Sequence, residues 1–154
     1  MRVLLQRVLE ASVTVDGTVV GEIGPGLVAF VGVETGDTMQ DVDYLVDKVV
    51  NMRIFTDEAG KFNNSVLTVK GSLLVVSQFT LLADTHKGRR PNFIAAADPS
   101  IAEPLCITFI ERARAAGLTV ASGRFQQHML VKILNDGPVT IFLDSKEKFT
   151  ENRL

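Results

Sequence analysis

Two short polar segments, far apart in the chain, carry residue types that could do chemistry. One is Ser77-Gln78-Phe79-Thr80-Leu81, at the end of the apolar run Leu73–Val76. The other is Asn135-Asp136-Gly137-Pro138-Val139-Thr140, at the end of Val131–Leu134. Both set small polar residues where a buried strand should leave a sheet, and strand ends on a rigid scaffold are where sites are commonly built. The hydroxyl of Ser77 suggests acyl transfer, but a serine nucleophile needs a base and a group to orient that base. His86 and His128 are the only histidines, and no Gly-x-Ser-x-Gly elbow surrounds Ser77. The plain alternative for Ser77, Gln78 and Thr80 is capping of backbone groups at a strand end. Gly137-Pro138 reads locally as a turn between two strands, because proline removes a ladder donor. X-Pro is also the one kind of bond that readily takes the cis form.

Other chemistries find less support. Neither histidine has a Cys, His or acidic neighbour at ligand spacing, so no metal site is expected. Gly24-Pro25-Gly26 lacks the Lys-Ser/Thr of a phosphate loop, and no dinucleotide fingerprint occurs, so no cofactor is expected. The net charge is −2, which gives no global footprint for nucleic acid. Any polyanion must meet a local patch, and the densest is His86-Lys87-Gly88-Arg89-Arg90. Taken alone, such a run is as well explained as a solvated loop. The lone Cys106, within Leu105–Ile110, reads as an inert core thiol. No apolar stretch approaches a membrane span, and the first residues read as a strand rather than a signal peptide. With one cysteine and no export signal, the expected home is a reducing cytoplasm.

The elements that must position the polar segments follow from periodicity. Val3–Val8 and Ala11–Val15 lead into Asp16-Gly17, a hairpin signal, and Thr18–Ile23 returns. Leu27–Val33 is a continuous apolar run, as expected of a strand buried on both faces. In Thr38–Met52 the residues Val42, Leu45, Val46, Val49 and Val50 fall on one helical face, with Asp37 or Thr38 as cap. Arg53–Thr56 and Leu73–Leu82 are further strands, with a polar turn at Asp57–Lys61 and a long loop over Ala83–Ala97. A second helix runs to about Ala116. Asp98-Pro99 resembles its start, yet Pro104 would then lie inside it, which predicts a distorted first turn or a start near Glu103. Ala121–Phe125, Met129–Asn135 and Thr140–Leu143 complete the strands. Many strands, two helices and no regular alternation predict an α+β domain with a mostly antiparallel sheet. At 154 residues and 46% hydrophobic, one domain accounts for the chain. We place it at residues 1–145, followed by a loose charged tail, 146–154.

Taken together, these segments resemble the D-aminoacyl-tRNA deacylase family. The resemblance spans Gln6-Arg7-Val8, Ala11–Val15, Arg53-Ile54-Phe55, Ser77–Leu81, Gly88-Arg89-Arg90-Pro91-Asn92-Phe93 and Asn135–Thr140. Asn92, where the family more often has Ser, departs from the pattern, as do Pro104 and the charged tail. The resemblance implies a barrel-like sheet with helices on one side, a homodimer and a site at the subunit interface. There Ser77, Gln78, Phe79 and Thr80 of one subunit would face a cis Gly137-Pro138 of the other. It implies cytoplasmic hydrolysis of the ester joining a D-amino acid, or glycine, to the terminal adenosine of tRNA. Backbone N–H groups near Phe79 and Thr80 would then steady the oxyanion. Lys87, Arg89 and Arg90, with Arg7 as a further candidate, would meet tRNA phosphates; no DNA or membrane partner is expected. Three alternatives stay open at this stage: a deacylase editing L-alanyl-tRNA on the same fold, an RNA-end-binding dimer without catalysis, and a serine esterase using Ser77.

Overall fold

The computed structural model describes residues 1–149, so the last five residues of the expected tail lie outside it. The backbone runs β1 (Arg2–Val15), β2 (Thr18–Ile23), β3 (Gly26–Gly32), α1 (Met39–Asn51), β4 (Phe55–Thr56) and β5 (Phe62–Asn64). It continues through β6 (Ser72–Ser77), a 3-10 turn (Phe79–Leu82), α2 (Pro99–Ala115), β7 (Thr119–Ser122), β8 (Leu130–Asp144) and a second 3-10 turn (Ser145–Phe149). The main sheet has the order β2-β1-β3-β6-β7, with β8 on the other edge of β1. The three pairings of β1 are antiparallel, as expected. The pairings β3–β6 and β6–β7 are parallel, because α1 and α2 each carry the chain back across one face, as parallel strands require. The sheet curls until its ends approach: a Cβ on Gly21 of β2 would stand 2.6 Å from the Ser122 carbonyl oxygen of β7.

Curling explains why the central strands are apolar throughout. Leu27, Ala29 and Val31 of β3, with Leu73 and Val75 of β6, face a core shared with the helices. Val28, Leu74 and Val76 face a second core inside the curl, with Val8, Val13 and Ile23. α1 buries Val42, Leu45, Val46, Val49 and Val50, the face that its spacing predicts. Its cap is Thr38, whose Oγ1 accepts from the Gln40 N–H at 3.3 Å, while Asp41 accepts from the Thr38 N–H at 2.8 Å. Burial works against the Asp41 carboxylate, but the Ser145 hydroxyl, the Thr38 N–H and the nearby N-terminal ammonium hold its carboxyl below the usual range.

Several expectations need correction. Val3–Val8 and Ala11–Val15 form one strand rather than two. Met129–Asn135 and Thr140–Leu143 likewise merge into β8, which runs through Gly137-Pro138 without a turn. The strand predicted over Leu73–Leu82 ends at Ser77, and Phe79–Leu82 coil into the 3-10 turn. α2 begins at Pro99 despite Pro104, with Asp98 as cap accepting from the Ser100 N–H at 2.9 Å. The break is tolerable because the orphaned Ser100 carbonyl belongs to an exposed first turn. The segment after Leu143 also keeps more structure than expected, with Ser145 buried and Lys146 paired to Glu34 at 2.8 Å. No helix among the described residues is long and apolar enough to cross a membrane.

Candidate active site

β6 delivers the first polar segment. Ser77 is the last residue of the strand, paired with Val31 of β3, and the Gln78 N–H donates to the Val31 carbonyl at 2.7 Å. The chain then turns sharply, so Phe79 and Thr80 are exposed while Leu82 drops back into the core. The 3-10 turn has no side-chain hydrogen bond capping its N-terminus. The Gln78 amide bonds instead to the Thr80 hydroxyl. Arg2 braces the far side: its Nη1 donates to the Leu81 carbonyl at 2.7 Å, and its Nε lies 3.4 Å from Asp144.

Ser77, Gln78 and Phe79 line a cavity of about 730 Å³, within the range of small-molecule sites, about 300–1,000 Å³. Phe93 meets Phe79 edge-to-face, ring centroids 5.0 Å apart. The lining also includes Phe125, Gln126, Gln127, His128 and Met129 from the β7–β8 connection, with Asp98 at the N-cap of α2 and Cys106 in its middle. Residues 125–129 were not among the expected site residues. The polar run Gln126-Gln127-His128 between an aromatic and a methionine was the available signal. Cys106 contributes an unreactive wall, because burial pushes its thiol up to about 12. The thiolate is the reactive form. The folded protein at pH 8 should therefore leave an aromatic disulfide reagent unreduced and react fully once unfolded; rapid release of the coloured thiol from folded protein would contradict this.

Ser77, His128 and Asp98 all border this cavity, which revives the question of a triad. No hydrogen bond joins any two of them among the described residues, and Asp98 is occupied by the Ser100 N–H at 2.9 Å and its hydroxyl at 2.6 Å. His86 lies elsewhere. Asp84 accepts from its backbone N–H and sits 2.7 Å from its Nδ1, contacts that hold the Asp84 carboxyl below its usual range. The Asp84 backbone also pairs with Asn92, which closes the base of the basic loop, whose Lys87, Arg89 and Arg90 are all exposed. No group of three or more metal-ligating side chains occurs among the described residues.

The second segment forms a large bulge. Gln6 pairs with Thr140 and Val8 with Asn135, so Asp136–Val139 stand opposite Arg7 alone. Asn135 repairs the ladder, its amide donating to the carbonyls of Arg7 at 2.9 Å and Val139 at 3.1 Å. Arg7, expected at tRNA phosphate, is instead buried. Its guanidinium bonds to the Ile54 carbonyl at 2.8 Å and the Asp136 carbonyl at 3.2 Å, pairs with the Asp136 carboxylate at 3.3 Å, and lies over the Phe62 ring. With its donors spent inside, Arg7 braces the bulge. Gly137-Pro138 is cis, and both residues are exposed.

The two segments do not meet within the chain. Ser77 pairs with Val31, Val31 with Val3, and Val3 with Leu143. The bulge lies across three strand spacings and four residues further along β1, roughly 14 Å by 13 Å. Neither Gly137 nor Pro138 lines the cavity.

The family model and the curated relatives point to one family. The family model described as D-Tyr-tRNA(Tyr) deacylase matches residues 4–144. A protein of Thermomicrobium roseum named D-aminoacyl-tRNA deacylase is 60% identical, covering 96% of each chain. One of the same name from Natranaerobius thermophilus is 56% identical, covering 97% of this chain and all of its own. Among solved structures, one titled c-Myc DNA Unwinding Element Binding Protein superposes with a TM-score of 0.89 at 39% identity, covering 94% of this chain and 98% of its own. A probable eukaryotic D-amino acid tRNA deacylase gives 0.79 at 18% identity, a likeness of fold.

Proposed function

This chain belongs to the D-Tyr-tRNA(Tyr) deacylase family, and from that premise we propose that it hydrolyses the ester of D-aminoacyl-tRNA, releasing the D-amino acid and intact tRNA. The observation that carries the reading is the cavity bordered by Ser77, Gln78 and Phe79, in which no side-chain base is hydrogen-bonded to the serine. Its aromatic members Phe79, Phe93 and Phe125 suit the faces of a terminal nucleobase. An aminoacyl ester on ribose is already activated, so positioning and charge stabilisation supply most of what the reaction needs. The backbone N–H groups of Phe79 and Thr80, at the uncapped start of the 3-10 turn, hold the carbonyl oxygen as it gains charge. Water adds to the acyl carbon, helped by the neighbouring ribose hydroxyl, and the ribose oxygen leaves with the proton.

The handedness filter comes from the partner subunit. Gly137-Pro138 presents backbone carbonyls to the substrate amine, and this wall clashes with any Cβ on the L side. A backbone wall serves for every amino acid, whereas a shaped pocket gains only about 1–3 kcal/mol per methylene. Glycine, having no Cβ, passes it and is hydrolysed as well. Three features support a homodimer with paired sites: the roughly 20 Å that separates the segments in one protomer, the exposure of the bulge, and the free outer edge of β8. That edge strand itself carries half-exposed Leu134 and Phe142. Lys87, Arg89 and Arg90 meet the phosphates of the acceptor end. A cytoplasmic location follows from the substrate.

Side-chain hydroxyls are secondary in this mechanism. Ser77→Ala and Thr80→Ala should each retain activity within about tenfold in single-turnover assays on D-aminoacyl-tRNA. A loss beyond about a thousandfold in each would place the chemistry on the side chains instead.

A further inference from the structure

Ile94 is 86% exposed, far more than any other large hydrophobic residue among those described. A single exposed isoleucine means little by itself, but this one sits on a rigid tip. Its own N–H donates to the Asn92 side chain at 3.3 Å, and Asn92 exchanges two backbone hydrogen bonds with Asp84, at 2.8 and 3.0 Å. On the far side the Ala96 N–H closes a turn onto the Phe93 carbonyl at 3.0 Å. The Thr35 N–H bonds to the Ala95 carbonyl at 2.9 Å, and the Ala97 N–H to the Val33 carbonyl at 2.9 Å. The apolar side chain is thus held out into solvent with little freedom to fold back. Its neighbour Phe93 lines the cavity beside Phe79, and the exposed Lys87, Arg89 and Arg90 lie in the same loop.

We propose that Ile94 is a contact for the single-stranded 3′ end of the tRNA, packing against a base that precedes the terminal adenosine. This rests on the deacylase reading, in which the cavity holds the terminal nucleoside. The nucleotides before it must then leave past Phe93 and run along the basic loop, which brings their base faces to the tip. An isoleucine suits that position, since branched aliphatic side chains pack against base faces without reading sequence, as apolar wedges do elsewhere.

The test compares wild type with Ile94→Ser, a substitution at a solvent-exposed position, with a thermal melt to check that folding is intact. On D-aminoacyl-tRNA the variant should show KM raised about fivefold or more, with kcat within about twofold. Binding of uncharged tRNA should weaken similarly, while binding of a tRNA trimmed of its single-stranded 3′ end should be equal for the two proteins. Unchanged KM and binding, equal weakening on the trimmed tRNA, or dissociation of a dimer by the substitution would each overturn the proposal. Wild type inert on D-aminoacyl-tRNA would sink the deacylase reading instead, and the two binding comparisons would still judge Ile94.

Discussion

Gly137→Ala is expected to lower kcat/KM on D-aminoacyl-tRNA by about a hundredfold or more. Gly137 has φ +144°, a region of backbone space that residues with a Cβ seldom enter, at a cost of roughly 1–3 kcal/mol. Space is lacking as well. A Cβ there would stand 2.6 Å from Val139 Cγ2 and 2.7 Å from the Val139 backbone nitrogen. Val139 cannot give way, because it is 7% exposed and packs into the main core. The free part of the bulge, Gly137-Pro138 itself, must therefore move. If the bulge is the proposed handedness wall, a displacement of about 1 Å is enough for an effect of that size. Steady-state kinetics alongside a thermal melt would measure it. A variant destabilised yet fully active and selective would show that the bulge takes no part in the site.

The second large effect is expected at Gly32→Ala, at the end of β3 beneath the 3-10 turn. The added methyl would lie 2.7 Å from Leu82 Cδ2 and 2.9 Å from the Gln78 carbonyl oxygen. Leu82 is buried and the Gln78 backbone is tied to Val31, so the methyl pushes on the turn that carries Phe79 and Thr80. Arg2 resists the shift from the Leu81 side through its 2.7 Å bond. Donors aimed at a developing oxyanion tolerate little displacement; losing one costs about 10²–10³ in kcat elsewhere. We expect kcat to fall by about ten- to a hundredfold with KM nearly unchanged. A rise in KM alone would mean that the turn binds substrate without stabilising the charge that develops.

What could be read from the residues divides along physical lines. The buried face of α1 was legible because five apolar side chains at helical spacing leave one way to bury them. The Asp16-Gly17 hairpin was legible because both residues take positive φ, 48° and 76°, as that tight turn demands. β8 was misread at Gly137-Pro138, since local signals treat the pair as a turn. The strand continues because it is an edge strand, whose proline need not donate to a neighbour, and because Asn135 and Arg7 bridge the bulge. Pro104 misled for a related reason: its cost is small where the lost acceptor faces water. The parallel pairings depend on where two helices cross, which no local pattern states.

The candidate site shows the same division. Ser77–Thr80 and the segment Asn135–Thr140 stood out as polar stretches where strands were expected to end. Residues 125–129 did not, because only the curl of the sheet brings the β7–β8 connection over Ser77. Arg7 was read by its charge, whereas its burial beside Asp136 and over Phe62 depends on tertiary packing.

On the proposed function, a backbone-built site hydrolyses D-aminoacyl esters on tRNA and refuses their mirror images. The most direct measurement incubates the purified protein with D-tyrosyl-tRNA and with L-tyrosyl-tRNA and counts the amino acid released. Release from the D-form is expected to be at least about a hundredfold faster than from the L-form. Hydrolysis of the two at matching rates, or no hydrolysis of the D-form, would contradict it.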